Sequence, residues 1–211
     1  MHHHKTTLWT ESLASFNERI ASSSPTPGGG AVTVVAAVMG ASLILMAIDV
    51  SLKKQEIPAL IQLRKQIKQQ SDTLVAYADR DVEVFEHYMK GLQLPKATEG
   101  EKQYRKEYLR QATLNATDIP MAAAREISKI LKLSLPSLPL IKKSVMSDIG
   151  AGVYLIHAAL KGVLLNVDIN LAYMKDNILV GTFKDEQRRV LTEAETLAGE
   201  ILGRVSEMLG A

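Results

Sequence analysis

The chain has 211 residues, 46% of them hydrophobic, enough for one substantial core and too few for two ordinary domains. A net charge of +2, with no arginine-rich block or aromatic-interleaved basic strip, excludes a nucleic-acid footprint. The absence of cysteine removes disulfides, thiolate catalysis and cysteine-ligated metals, and it fits a cytoplasmic location.

Residues 1–7 read as an irregular or disordered terminus ahead of one domain over 8–211, and His2, His3 and His4 are given no metal role. Apolar residues recur at three and four, and no alternating strand pattern appears, so the expected fold is an all-α bundle of long, mostly antiparallel helices. The predicted helices are Thr10–Ala21, Gly30–Lys54, Pro58–Gly91, Glu99–Leu133 with an interruption near Pro120, Ser147–Asp176 and Lys184–Leu209. Pro58 suits a first helical position, while Leu135-Pro136-Ser137-Leu138-Pro139 reads as a loop.

The first long helix opens on Ser24-Pro25-Thr26-Pro27-Gly28-Gly29-Gly30 and continues through small residues without a charge until Asp49. Two prolines set an extended approach, and glycines allow close contact where a Cβ would clash. The loop suits either a ligand beside the helix N-terminus or tight packing alone, and it matches neither a Walker sequence nor a dinucleotide fingerprint. Ala31–Ile48 is also long and apolar enough for a membrane span. Its Ala, Gly, Ser and Thr content and its lack of flanking aromatic anchors favour a buried central helix. Ala36, Ala37, Gly40 and Ala41 would then admit a close neighbour.

In the Pro58 helix, Leu63, Ile67, Leu74, Tyr77, Ala78, Val84, Phe85 and Tyr88 form the apolar stripe, and Asp81 falls inside it. A carboxylate there is expensive to desolvate, so its pKa is expected to rise unless a cation opposes the effect. Periodicity leaves open a structural bond or a role in chemistry. Asp79, Glu83 and Glu86 fall largely on another face and read as solvated charge. Along the Ser147 helix, Asp148, Ala159, Asn166 and Asn170 fall within about 40° of one line, whereas His157, read as a packing or surface residue, faces away. Asp148 also suits an ordinary cap. It stands about 27 Å from Asn166 along a straight helix, so the two serve different ends of a long ligand or different sites.

Four segments in the same order, from Ser12 to Met174, resemble the cyclodeaminase/cyclohydrolase family of tetrahydrofolate enzymes. They are Ser24–Gly30, Asp79-Arg80-Asp81-Val82-Glu83-Val84-Phe85, Leu94–Lys102, and Ser147-Asp148-Ile149-Gly150 leading to Leu165–Leu171. The resemblance implies a helical bundle that forms a homodimer and an enzyme that closes or opens the one-carbon bridge between N5 and N10 of tetrahydrofolate. Folate is then the substrate, and the chemistry calls for no cofactor, no metal, no nucleic acid and no membrane. Asp81 is the expected proton-transfer group, with Asp148 second. Pro27, Gly28, Gly29 and Gly30 are expected to border the substrate, Asn166 and Asn170 to orient the pterin or a water, and Lys53, Lys54, Lys142 or Lys143 to meet folate carboxylates. Ser51–Ile57 and Ile141–Met146 depart from the family's pattern in segments expected to border the cleft. A helical binding or scaffold protein that has lost the site is the competing class.

Overall fold

The computed structural model describes residues 7–210, which fold into six α-helices with no strand among them. Ser12 caps α1 (Leu13–Ile20) by accepting from Ser15 N–H. Gly28 takes the extended cap position of α2 (Gly29–Leu52), and Pro58 starts α3 (Pro58–Gln93) at the position where its missing N–H costs nothing. The sequence Thr98-x-x-Glu101 forms a complete capping box at the start of α4 (Glu99–Ser134). Short 3-10 turns over Leu135–Leu140 and Lys143–Val145 lead into α5 (Met146–Leu171), and Asp176 caps α6 (Asn177–Leu209).

The central pair is α2 and α5, packed antiparallel. Gly40 and Gly152 meet where they cross, and a Cβ on either would lie 2.7 Å from the other's carbonyl oxygen. Glycine is required here for close backbone approach, as the small-residue spacing anticipated. α3 and α4 form an antiparallel hairpin beside this pair, and α6 covers α4 and α5. Ile44, Ile48, Leu74, Met121, Ile127 and Ile149 are completely buried between the layers. Each such side chain contributes roughly 1.5–3 kcal/mol by leaving water. Arg125 on α4 and Glu186 on α6 add a two-pronged ion pair, both contacts at 2.8 Å.

Among the described residues, Gly29–Leu52 and Lys143–Leu171 are the two stretches long and apolar enough to pass for membrane spans, and both lie in this packed core with half or more of their apolar windows buried.

Four features differ from the sequence expectation. α4 runs through Pro120 without a break. Proline removes the N–H that would reach the Ala116 carbonyl four residues back, and Asn170 on α5 supplies the missing donor through its amide nitrogen at 2.6 Å. α5 ends at Leu171 instead of Asp176, and α6 starts at Asn177, seven residues before Lys184, because Asp176 leaves α5 and caps the next helix. At the amino end the chain makes a 3-10 turn over Leu8–Thr10 before α1. The expectations for residues 1–6 lie outside the described residues.

Candidate functional site

Residues seven apart along α3 from Leu60 share one face of the helix, giving Leu60, Ile67, Leu74, Asp81 and Tyr88. The first three are completely buried, so the helix carries Asp81 inward as it carries them. What it meets is the amino end of α2. A Cβ on Gly30 would overlap both carboxylate oxygens of Asp81, so the glycine makes room for the acid. The Ala31 N–H, one of the first-turn donors without an intrahelical partner, bonds to the carboxylate. Gly28, the cap residue of α2, has no side chain to offer, and Asp81 serves that role from another helix.

Burial raises the Asp81 pKa from 3.8 to about 6, against the opposing pull of the Ala31 N–H. Among the described residues no cation lies within ion-pair distance, and the helix dipole only partly compensates for lost water. The result is a carboxyl group that exchanges its proton near neutral pH.

The opposite wall comes from α5. Gly162 lets Thr33 of α2 approach, since a Cβ there would stand 2.5 Å from Thr33 Cγ2. The Thr33 hydroxyl donates to the Gly29 and Gly30 carbonyls at 2.8 and 2.9 Å, tying down the glycine turn. The Asn166 amide donates to the Gly162 carbonyl at 3.1 Å, and its nitrogen is 4.0 Å from where a Gly29 Cβ would be. Gly28, Gly29, Gly30, Asp81 and Asn166 therefore converge. Pro27 enters that turn through a cis Thr26–Pro27 peptide. Asn170 lies one turn beyond Asn166 and donates to the Ala116 carbonyl.

The remaining expected residues lie at the other end. α2 has 24 residues, about 36 Å, between the glycine turn and Lys53. Lys53 and Lys54 are exposed there, beside the segment in which Lys142 N–H bonds to the Ser51 hydroxyl and Lys142 Nζ to the Val50 carbonyl, each at 2.9 Å. Asp148 is half-buried in the first turn of α5 at this same end, and Lys143, in the 3-10 turn just before it, is exposed. Both segments that depart from the family pattern belong to this end, so within one subunit they do not border the Asp81 pocket.

Asp79 is not the solvated acid that its helix face suggested. It accepts from the Leu8 N–H at 2.8 Å and from the Thr7 hydroxyl, while the Trp9 indole donates to the Val75 carbonyl at 2.9 Å, so the amino-terminal segment is fastened to α3. Sequence reasoning placed Tyr88 only in the apolar stripe and passed over Tyr173, and the two rings pair with centroids 6.3 Å apart. Tyr88 follows Asp81 by seven residues, a spacing that signals one face. Among the described residues no three histidine, aspartate or glutamate side chains gather as a metal-binding group.

The fold and the site thus define an all-α protein with a desolvated, near-neutral carboxyl group set on a glycine-rich helix start. The formiminotransferase-cyclodeaminase family model matches residues 12–189, and the chain belongs to this family. It is 31% identical over 191 residues to a methenyltetrahydrofolate cyclohydrolase of Methylorubrum extorquens, covering 89% of this chain and 92% of that protein. It is also 31% identical to the formimidoyltransferase-cyclodeaminase of Gallus gallus over 88% of this chain, but spans only 34% of that longer protein. A formiminotetrahydrofolate cyclodeaminase from Thermotoga maritima has the same fold, with a TM-score of 0.77, 28% identity and coverage of 96% and 97% of the two chains.

Proposed function

We propose that the protein is an enzyme of folate one-carbon metabolism acting at the N5–N10 bridge of tetrahydrofolate, as a methenyltetrahydrofolate cyclohydrolase or a formiminotetrahydrofolate cyclodeaminase. The observation that carries this reading is the Asp81 carboxyl group, which titrates at about 6 against the glycine start of α2. In the hydrolytic direction water adds to the methenyl carbon and Asp81 takes one of its protons. The C–N5 bond then breaks as Asp81 returns that proton to N5, and the hydroxyl proton leaves to solvent to give the formyl group on N10. In deamination N10 attacks the formimino carbon and Asp81 receives the N10 proton. The departing nitrogen takes up that proton and one from solvent, and ammonia is released. Either sequence needs one group that both accepts and donates a proton near pH 7, which is what a carboxyl shifted to about 6 supplies.

Gly28, Gly29 and Gly30 would border the bound pterin with Pro27, and Asn166 would orient it or a water. In this reading the protein works as a cytoplasmic homodimer without a metal or redox cofactor. Asp148, Lys53 and Lys54 come to the same ligand only from the partner subunit, which brings the far end of one chain to the glycine end of the other. The retained carboxyl group and glycine turn speak against an inactive scaffold.

The test is spectrophotometric. Methenyltetrahydrofolate absorbs in the near ultraviolet, so cyclohydrolase activity is read as loss of that band and cyclodeaminase activity as its appearance from formiminotetrahydrofolate. Binding of both folates without either change would refute the enzymatic reading.

A further inference from the structure

Past Asn166 the end of α5 has no part of α2 to lie on. The two helices run antiparallel, Gly162 meets Thr33 and Asn166 reaches Gly29, where α2 begins, so Asn170, about 6 Å further on, overhangs the helix start. Val167 and Leu171 still bury their side chains there. The polar side of the overhang is braced by two amides. Gln187 of α6 donates to the Leu164 carbonyl at 3.3 Å and to Asp168 at 2.9 Å, and Asn170 donates to the Ala116 carbonyl of α4 at 2.6 Å.

The second brace depends on a proline. Pro120 is buried inside α4, where any other residue would bond its own N–H to the Ala116 carbonyl. A proline within a helix is a local cost, and a cost of this kind beside a site marks a place where stability is exchanged for function. Asn170 is half-buried and shares a face with Asn166, four residues earlier, yet its amide nitrogen is engaged by α4. Asn166 bonds within its own helix, to the Gly162 carbonyl at 3.1 Å, so where its amide stands relative to Gly29 is set by where α5 stands.

We propose that Asn170 is a positioning residue for the reaction: through the carbonyl that Pro120 frees, it ties the overhanging end of α5 to α4 and so holds the Asn166 amide at the glycine turn. It acts through Asn166 and makes no contact with the substrate. The proposal rests on the folate reading above, in which Asn166 orients the pterin or a water, and it removes Asn170 from the residues expected to touch the ligand.

Two measurements on the full chain test it. The first needs no folate. The side-chain amide of Asn166, assigned in a nitrogen–proton correlation spectrum by its loss in Asn166→Ala, is expected to shift toward the free-amide position in Asn170→Ala. The same shift is expected in Asn170→Ala/Pro120→Ala, where a restored backbone N–H satisfies the Ala116 carbonyl without the tie to α5. This paired variant carries the readout even if the single one fails to fold. An Asn166 amide unmoved in the paired variant overturns the proposal whatever the activity assay shows. The second measurement is kcat and KM on whichever folate the wild type turns over. Asn170→Ala and the paired variant are expected to lower kcat at least tenfold with KM changed by less than about threefold. Asn166→Ala/Asn170→Ala is expected to be no slower than Asn166→Ala, because the two residues act in series. Wild-type kcat in the paired variant would reduce Asn170 to a partner for an orphaned carbonyl, and additive losses with Asn166→Ala would make it a substrate contact. Either result overturns the proposal. A shifted Asn166 amide with no turnover of any folate by the wild type would uphold the positioning and count against the catalytic reading.

Discussion

Asp81→Asn keeps the size of the side chain and its acceptor for the Ala31 N–H while removing the titrating proton, so it separates chemistry from architecture. Turnover is expected to fall by about 10²-fold or more with folate binding nearly unchanged. In the wild type kcat/KM in the base-dependent direction is expected to rise with pH through about 6, and the variant loses that limb. Stability moves the other way. The carboxyl titrates at 3.8 in an unfolded chain and about 6 in the folded one, so the folded state holds the extra proton between these values. Its advantage from this group is complete below about pH 4 and is lost as pH rises through 6. Asp81→Asn buries no charge, so it is expected to gain on the wild type between pH 4 and 8 by at most about 3 kcal/mol, read from denaturant midpoints. Gly30→Ala tests the same contact from the other side. The new methyl displaces the flexible carboxyl rather than backbone, so the expected result is a folded protein with at least tenfold lower kcat. Asp79→Asn weakens its bonds to Thr7 and Leu8 and is expected to lower stability by about 1 kcal/mol without altering turnover. Asp81 was legible in the sequence because a lone acid in an apolar stripe is conspicuous. Asp79 was not, because its partners lie more than 70 residues away in a segment with no helical period.

The crossing of α2 and α5 depends on two glycines facing backbone carbonyls that have nowhere to go. Gly40→Ala would put a methyl 2.7 Å from the Gly152 carbonyl and 2.8 Å from Ile156, forcing the helices apart. The expected loss is about 1–3 kcal/mol, measured as a lower denaturant midpoint. Gly203→Ala on α6 is the contrasting substitution. Its Cβ meets nothing within 4 Å, so better helix propensity is expected to stabilise the protein by about 0.5–1 kcal/mol. Helix starts with local signals, Pro58 and the Thr98–Glu101 box, were readable from the chain because cap and first turn are chemically self-contained. Pro120 was misleading for the opposite reason. Its effect is cancelled by Asn170, and that contact spans 54 residues. The early start of α6 was hidden because Val180 and Gly181 are poor helix formers, while the Asp176 cap that overrides them lies just before a stretch read as loop.

A single subunit leaves an apolar face along its central pair. Met39 and Met46 of α2 and Tyr154, Leu155, Leu165 and Ile169 of α5 are exposed, some by more than 60%. All lie on the two most hydrophobic helices of the chain. Exposed apolar residues gathered along two adjacent helices mark an interaction surface more often than a free one. Because α2 and α5 run antiparallel, a two-fold axis across this face would set the Asp148 and Lys53 end of one copy beside the Gly28–Gly30 and Asn166 end of the other. That arrangement makes the roughly 27 Å between Asp148 and Asn166 irrelevant, since each site would draw one from each chain. A homodimer is therefore expected at micromolar concentration in sedimentation experiments, and Leu155→Glu with Leu165→Glu is expected to shift it to monomer. If the site is shared, mixing inactive Asp81→Asn subunits with inactive Asp148→Asn subunits restores part of the activity, because one heterodimer site then carries both native acids. Full activity in a Leu155→Glu/Leu165→Glu monomer would show that one chain suffices, leaving Asp148 to its place in the first turn of α5.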